Sequence, residues 1–280
     1  MKLETYRLSS FSQTVEGGNP AGVILNADNL DEGSMLEIAS KIGYSETAFV
    51  SHSKVADYKV RFFTPINEVD LCGHATIATF NLLRDLQILS CGKYTQETKA
   101  GVLNIIINDY DVFMEQNRPV FSDIISLEEI NCCFKASILT NIENRPIQIV
   151  STGMRDIMLP VKSLTMLNEL QPNFDEIIML SKKYDVSGIH TFTQKGVTKA
   201  NAICRNFAPR DGIDEESATG TSNGALACYL NRYSNNTNSE YLFKQGYSMN
   251  KPSEIKVELQ YNKNNIDKVY VGGNAVRIEG

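Results

Sequence analysis

Two segments of the chain repeat the same order of residues. Arg61-Phe62-Phe63-Thr64-Pro65 leads to Cys72-Gly73-His74-Ala75-Thr76, and Arg205-Asn206-Phe207-Ala208-Pro209 leads to Thr219-Gly220-Thr221-Ser222-Asn223. The two R-x-F-x-P stretches lie 144 residues apart, and the glycines of the second stretches lie 147 residues apart. In each copy the small polar cluster opens an Ala-rich apolar run. The repeat predicts two domains, each containing the same strand, turn and helix start.

Length and composition agree with two globular domains. The chain has 280 residues, which exceeds the usual length of a single domain, and its 42% hydrophobic and 21% charged residues are ordinary. The pattern is weakest at 117–146, so we place the boundary there. We expect a first domain of residues 1–117 with 274–280 and a second of residues 118–273, because a strand broken at Gly272-Gly273 would return the chain to the first domain.

Charge and hydropathy exclude several classes of partner. The formal net charge is −6 and there is no long Lys/Arg run, which argues against nucleic acid and anionic membranes. No stretch approaches the ~18 apolar residues of a membrane span, and residues 1–7 alternate like a strand and lack the core of a signal peptide. We expect a cytoplasmic protein that binds a small molecule.

The spacing of the cysteines does not indicate a metal site, and common cofactor-binding motifs do not occur in the sequence. There is no CxxC pair and no histidine at zinc-finger spacing, so neither a disulfide framework nor a structural zinc site is indicated. Nor is there a GxGxxG, GxxxxGK[ST] or HExxH motif. We expect no cofactor and mostly buried, reduced thiols among the six cysteines: Cys72, Cys91, Cys132, Cys133, Cys204 and Cys228.

Hydrophobic periodicity predicts few helices among many short strands. Helices are expected at 31–42, ending at Gly43, and at 174–184. The run from His74 to about Leu86 is apolar on nearly every side, which favours a helix wrapped by sheet, and a second such helix is expected from Gly224. Strands are expected at 3–7, 22–25, 47–51, 58–63, 102–107, 112–115, 147–150, 157–161, 189–193 and 200–207.

The repeated polar clusters lie at predicted helix starts. Helix N-termini carry unpaired N–H groups and partial positive charge, so two facing starts would hold an anion such as a carboxylate between the domains. The ordinary role of Thr76, Thr221, Ser222 and Asn223 at such positions is N-capping, and the two roles are compatible.

Glu46 and His74 are the candidate acid/base groups. Glu46 lies where a helix has ended and the apolar strand Thr47-Ala48-Phe49-Val50 begins. Apolar neighbours strip a carboxylate of water, as a proton carrier near neutral pH requires, although a Glu at a strand start also commonly faces solvent. His74 lies at a helix start, which disfavours imidazolium, so a neutral ring would bind substrate; the alternative is a packing or capping histidine.

Cys72 offers a second kind of chemistry. It precedes Gly73 beside the helix dipole, which lowers the pKa of a thiol there and makes it a base or nucleophile. The equivalent position in the second repeat is Thr219. A racemase with two thiols is therefore excluded, whereas a racemase with one thiol stays open.

Five ordered motifs resemble the PhzF-like family of phenazine biosynthesis, which is related to diaminopimelate epimerase and proline racemase. They cover nearly the whole chain, up to the tail at Gly272-Gly273. The motifs are Gly18-Asn19-Pro20-Ala21-Gly22-Val23, Ser45-Glu46-Thr47-Ala48-Phe49-Val50, Arg61-Phe62-Phe63-Thr64-Pro65, Leu71-Cys72-Gly73-His74-Ala75-Thr76 and Glu216-Ser217-Ala218-Thr219-Gly220-Thr221.

The resemblance implies an α+β fold of two pseudo-symmetric domains, each a curved, mostly antiparallel sheet around a central helix. It also implies cofactor-independent isomerisation in the cleft between the domains, and a homodimer. The catalytic positions of the family fall on Glu46, His74 and Glu216. Its substrate-binding positions fall on Asn19, Gly73, Ala75, Thr76, Gly220, Thr221 and Ser222.

Two positions depart from the family pattern. Glu216-Ser217 stands where Asp-Pro is usual, and Thr221 stands where Ser commonly follows the glycine. The extra methylene of Glu216 would move its carboxylate by about a bond length, a distance that matters for catalytic positioning.

The leading hypothesis is therefore an isomerase or epimerase that shifts a proton in a small carboxylate-bearing substrate. Glu46 would take the proton and return it, while His74 and Glu216 orient the substrate. The alternative is a catalytically silent protein that binds a small acid or a protein partner on the same fold, because fold alone does not guarantee chemistry.

Overall fold

The computed structural model describes residues 4–135, 145–234 and 238–278. The chain divides into two compact units, which we call unit 1 (residues 1–115 and 272–280) and unit 2 (residues 116–271). Strands dominate both units and helices are few, as the predicted fold class requires.

Unit 1 is a mostly antiparallel sheet with two helices. Pairs β1–β2, β3–β4, β4–β5, β6–β7 and β1–β18 are antiparallel, and pairs β2–β3 and β4–β6 are parallel. The elements are β1 (Glu4–Ser10), β2 (Asn19–Leu25), α1 (Glu32–Ile42), β3 (Glu46–Ser51), β4 (Tyr58–Phe63), β5 (Glu68–Val69), α2 (Gly73–Asp85), β6 (Gly92–Thr98), β7 (Gly101–Ile107), β8 (Val112–Gln116, ending one residue into unit 2) and β18 (Ala275–Arg277).

Unit 2 repeats that pairing order. Pairs β10–β11, β12–β13, β13–β14 and β15–β16 are antiparallel and pairs β11–β12 and β13–β15 are parallel, as in the sequence of pairs from β1 to β7. The elements are β9 (Val120–Ile124), α3 (Leu127–Cys132), β10 (Gln148–Ser151), β11 (Arg155–Pro160), α4 (Leu164–Glu169), α5 (Phe174–Tyr184), β12 (Gly188–Thr193), β13 (Ala202–Ala208), β14 (Ile213–Glu216), α6 (Gly220–Tyr233), β15 (Glu240–Gln245), β16 (Ser253–Asn262) and β17 (Asn265–Gly273).

Each unit contains one helix that is buried on all sides. In α2 every residue from 74 to 83 is buried, and in α6 every residue from 222 to 230 is buried. Because neither helix has a face in contact with solvent, apolar residues can occur on nearly every side of it. The prediction of wrapped helices is therefore correct, although α6 begins at Gly220, four residues before the predicted start, because the polar cluster forms its first turn.

The R-x-F part of the repeat is a structural element that recurs in both units. The Arg61 guanidinium lies 5.1 Å from the centre of the Phe63 ring and donates two hydrogen bonds to Glu68, at 2.7 and 2.8 Å. Arg205 lies 4.8 Å from the Phe207 ring centre and donates to Glu215 at 2.9 and 2.8 Å. These bidentate pairs fasten β5 to β4 and β14 to β13.

The last described strand belongs to unit 1. Strand β18 pairs with β1, with Leu8 opposite Arg277, and the Ile278 N–H donates to the Arg7 carbonyl at 2.8 Å. The chain thus leaves unit 2 and ends in the sheet where it began.

Among the described residues, no helix combines the length and the apolar character that crossing a membrane requires. All six cysteines are reduced, and four of them (Cys72, Cys133, Cys204 and Cys228) are buried.

Candidate active site

Glu46 lies at the junction of α1 and β3. Helix α1 ends at Gly43, whose φ of 73° lets the chain turn and whose N–H donates to the Ala39 carbonyl. Three residues later Glu46 opens β3, opposite Ala21 of the parallel strand β2. The Glu46 side chain is 19% exposed, so it does not face solvent as a strand-start Glu commonly does.

His74 is the second residue of α2 and contacts Glu46 directly. Its Nε2 lies 3.3 Å from Glu46 Oε2, and Ser10 Oγ donates to its backbone carbonyl at 2.6 Å. Burial lowers the pKa of His74, and the charge of Glu46 opposes that change only in part. Burial therefore favours the neutral ring, whereas an effect of the helix start stays a prediction.

The groups around Nδ1 of His74 determine its tautomer. Asn19 Nδ2 lies 3.4 Å from Nδ1, and Cys72 Sγ also lies 3.4 Å away. An amide nitrogen and a thiol both donate, so Nδ1 accepts and the ring proton is on Nε2, facing Glu46 and the Ser45 hydroxyl at 3.5 Å.

One carboxylate oxygen of Glu46 keeps its hydrogen-bonding capacity. Oε2 is buried, and none of the described residues makes a hydrogen bond to it. A buried acceptor left in this condition is costly for the fold and is characteristic of functional sites.

The start of α2 lacks a side-chain cap. Cys72 is the N-cap residue and its side chain makes no capping hydrogen bond. Thr76 is not an N-cap, since its hydroxyl donates to the Cys72 carbonyl at 2.8 Å. A Cβ added at Gly73 would approach only Met114 Cε, at an ordinary 3.6 Å, so packing within unit 1 does not require glycine there. Close approach of a ligand to the backbone at Gly73 would favour glycine at this position, because glycine has no side chain in the way.

The start of α6 in unit 2 is built by side-chain amides. Thr219 is the N-cap residue and also makes no capping bond through its side chain. Gln245 accepts from Asn223 Nδ2 at 2.8 Å and donates to the Glu216 carbonyl at 2.8 Å. Gln245 thereby holds the turn between β14 and α6.

Unit 2 also contains a buried polar network that the sequence did not predict. Ser222 Oγ donates to Asp156 at 2.6 Å and accepts from Asn206 Nδ2 at 3.3 Å, and Asn206 reaches His190 Nδ1 at 3.2 Å. Burial raises the pKa of Asp156 to about 6 and lowers the pKa of His190 to about 3. Since the Ser222 hydroxyl is bonded to Asp156, it is not an N-cap, and a ligand would meet the backbone of Ser222.

The structure thus gathers one group of the predicted residues in each unit. Unit 1 brings together Asn19, Glu46 and His74, and adds Ser45 and Cys72. In unit 2, Gly220, Thr221 and Ser222 form the first turn of α6, shortly after Glu216 at the end of β14. Ser45 had a signal in the sequence, since it precedes Glu46, whereas no spacing pointed to Asp156.

The fold is similar to that of a solved epimerase of low sequence identity. A hydroxyproline epimerase from Agrobacterium vitis, solved with bound trans-4-OH-L-proline, aligns with a TM-score of 0.63 over 99% of this chain and 91% of that chain. The sequence identity is 11%, so this likeness concerns the fold alone.

The chain belongs to the PhzC-PhzF family of phenazine biosynthesis-like proteins, whose profile matches residues 8–280. The Bacillus anthracis phenazine biosynthesis protein of the PhzF family is 31% identical, with a TM-score of 0.90, over 100% of this chain and 98% of that one. The resemblance seen in the sequence motifs is therefore confirmed.

The curated relatives carry isomerase names. An uncharacterized isomerase of Clostridium acetobutylicum is 37% identical over 98% of this chain and 96% of its own length. The uncharacterized isomerase YddE of Escherichia coli is 32% identical over 99% and 96%. These relatives support an isomerase or epimerase kind of function.

Proposed function

We propose that the protein is a cofactor-independent isomerase that moves a proton between carbons of a small carboxylate-bearing substrate, with Glu46 as acid and base. The observation that carries the proposal is the Glu46 carboxylate, mostly buried and 3.3 Å from the neutral ring of His74. A carboxylate held out of water beside neutral donors suits repeated gain and loss of a proton.

The reaction needs no other redox or group-transfer partner. Glu46 takes a proton from a carbon next to a carboxylate or conjugated alkene, and the electron pair moves into that system. Protonated Glu46 then returns the proton to another carbon of the conjugated chain. Product and substrate have the same composition, as in any isomerisation.

The neighbours of Glu46 prepare the site for the developing charge. Nε2–H of His74 is a neutral donor, so it stabilises charge without itself becoming an acid that competes for the proton. The uncapped N–H groups at the start of α2 provide an electropositive site for the substrate carboxylate. Contact of Glu216, Gly220, Thr221 and Ser222 with substrate stays a prediction.

Proton exchange with solvent tests the proposal. The protein would be incubated in deuterated water with a panel of amino and dihydroaromatic acids, and label uptake would be followed by mass spectrometry. We expect uptake by at least one acid, and a loss of at least ~1,000-fold in Glu46→Gln, the magnitude of a lost general acid/base. Glu37→Gln is the matched control, since Glu37 lies exposed on α1 of the same unit.

The outcomes separate the alternatives. Undiminished exchange in Glu46→Gln would overturn the role of Glu46. Absence of exchange by the native protein with every acid, together with unchanged acid binding by Glu46→Gln, would favour the silent binder. The homodimer and the cytoplasmic location also stay predictions, of which light scattering tests the first.

A further inference from the structure

The first turn of α6 in unit 2 is fastened to the turn between β10 and β11. Thr152 Oγ1 donates to the Thr221 carbonyl at 3.0 Å, and a Cβ added at Gly153 would lie 3.4 Å from Thr221 Cγ2. The Thr221 hydroxyl donates to Met154 Sδ at 3.8 Å. The Met154 side chain therefore lies directly beside the start of the helix.

Met154 stands where unit 1 has Asn19. The strand pairs β2–β3 and β11–β12 have the same register relative to the repeat, and they match these two positions. Asn19 contacts His74, the second residue of α2, and Met154 contacts Thr221, the second residue of α6. The repeat thus keeps the contact but replaces an amide by a thioether.

The two positions also differ in exposure. Asn19 is 6% exposed, whereas Met154 is 41% exposed. A single exposed apolar side chain is ordinary on a protein surface. Met154, however, lies against Thr221, a predicted substrate-binding residue, at the position where unit 1 has a residue of its catalytic group.

The hydroxyl groups at the start of α6 are hydrogen-bonded within unit 2. Thr219 Oγ1 accepts from Gln245 Nε2 at 3.0 Å. Ser222 Oγ donates to Asp156 at 2.6 Å, and the remaining hydroxyl of this turn donates to Met154. A ligand at this turn would therefore meet backbone N–H groups, which suit a carboxylate, and the exposed thioether of Met154.

We propose that Met154 is a specificity-determining residue, which contacts the apolar part of the substrate and favours acids whose remainder is an apolar, unsaturated ring or chain. A thioether is polarizable and packs well against unsaturated rings, whereas it is only a weak acceptor for an ammonium or a hydroxyl group. This inference rests on the proposed function, in which the start of α6 also contacts the substrate.

Two ring-bearing acids that differ in polarity test the preference. Dihydrobenzoic acid has an apolar unsaturated ring, whereas the ring of proline contains an ammonium nitrogen. Deuterium exchange into each acid would be measured for the native protein, Met154→Asn and Met154→Leu. We expect Met154→Asn to raise the KM for dihydrobenzoic acid about fivefold to tenfold, with unchanged kcat and no such rise for proline. Met154→Leu keeps the apolar contact, so its KM should stay within about twofold of the native value.

Met179→Asn is the matched control. Met179 is 56% exposed on α5 of the same unit, so it has the same chemistry and a similar exposure away from the start of α6. Its substitution should change neither KM. A rise in the KM for dihydrobenzoic acid as large as that in Met154→Asn would show that the effect is not local to Met154.

Isothermal titration calorimetry with the same two acids separates this inference from the proposed function. Weaker binding of dihydrobenzoic acid by Met154→Asn, in a protein that exchanges neither acid, would support the role of Met154 while contradicting the isomerase function. Exchange with an unchanged ratio of the two KM values in Met154→Asn would overturn the role of Met154 alone. Tighter binding of proline than of dihydrobenzoic acid by the native protein, or binding of neither acid, would also overturn it.

Discussion

The two units share the same order of strands and helices but differ in the polar groups beside the start of the buried helix. In unit 1 the start of α2 stands beside a partly exposed carboxylate, Glu46, with an oxygen that lacks a hydrogen bond from the described residues. In unit 2 the start of α6 stands above Asp156, which is 1% exposed and accepts the Ser222 hydroxyl. Asp156 Oδ1 likewise accepts no hydrogen bond from the described residues, so the two carboxylates differ in exposure, since the Glu46 side chain is 19% exposed and Asp156 is fully buried.

The difference arises from few residues. Unit 1 has Ala75 where unit 2 has Ser222, so α2 has no hydroxyl at the position from which Ser222 bonds to Asp156. By strand pairing, Ala21 stands in unit 1 where Asp156 stands in unit 2. A duplicated scaffold thus diverges at the residues beneath a helix start, while its strand order stays the same.

The largest expected effect separates the carboxylate from the thiol within unit 1. Glu46→Gln should lower deuterium exchange at least ~1,000-fold, because it removes the proton carrier, while Cys72→Ser should lower it about tenfold or less. Exchange rates from mass spectrometry measure both. A greater loss in Cys72→Ser than in Glu46→Gln would establish the racemase with one thiol instead.

The next effect compares the Arg–Glu pairs of the two units. Arg205 is more buried than Arg61 and also donates to the Leu167 and Leu170 carbonyls. Arg205→Gln should lower the free energy of unfolding by about 3–4 kcal/mol and Arg61→Gln by about 1–2 kcal/mol, because Lys99 still neutralises Glu68. Urea denaturation followed by circular dichroism measures both.

The exposed Lys41 provides the control for this comparison. Lys41→Gln should change the free energy of unfolding by less than ~0.5 kcal/mol, since its partner Glu37 is exposed as well. Equal costs for Arg61→Gln and Arg205→Gln would show that burial does not distinguish the two pairs.

A third effect depends on pH. Burial raises the pKa of Asp156 from 3.8 to about 6, so ionisation destabilises the folded state. This contribution is absent below about pH 4 and grows as pH rises to 6, reaching about 3 kcal/mol. Asp156→Asn removes it, so the variant should be more stable than the native protein at pH 8, by about 2–3 kcal/mol, with the advantage vanishing near pH 4.

Measuring both proteins across pH isolates Asp156. His190, whose pKa is lowered to about 3, destabilises the folded state as pH falls below 6.5, but it does so in both proteins and cancels in their difference. An Asp156→Asn variant less stable than the native protein at pH 8 would show that the network depends on the charge.

The smallest effect tests the repeat itself. Ser10 Oγ donates to the His74 carbonyl at 2.6 Å, and Thr152 Oγ1 donates to the Thr221 carbonyl at 3.0 Å, at equivalent places in the two units. Ser10→Ala and Thr152→Val should each lower the free energy of unfolding by about 1 kcal/mol. Thermal denaturation measures this. Costs that differ by more than ~2 kcal/mol would contradict the equivalence.

Much of the fold follows from local sequence pattern. The periodicity at 174–184 predicted α5 with its observed bounds, and Gly43 ended α1 where expected. Strand β6 (Gly92–Thr98) was missed because its Lys, Gln and Glu residues obscure the alternation of apolar and polar positions. Its pairing with β7 stabilises it as a strand. Such a strand depends on its partner strand, which lies outside the segment whose sequence pattern is read.

The site was predictable only where a family motif marks its residues. Glu46, His74 and Asn19 were proposed from their motifs, and the structure brings them together. Asp156 was missed because its partner Ser222 lies 66 residues away and nothing near Asp156 marks it.

The return of β18 to unit 1 has a consequence for biosynthesis. Residues 4–115 leave the ribosome without β18, one of the two strands that pair with β1, and all of unit 2 must be translated before β18 is made. Most of unit 1 is thus synthesised before unit 2, but unit 1 is completed after it. Deleting the residues from Ala275 onward would impair the half that contains Glu46, at the opposite end of the chain from the cut.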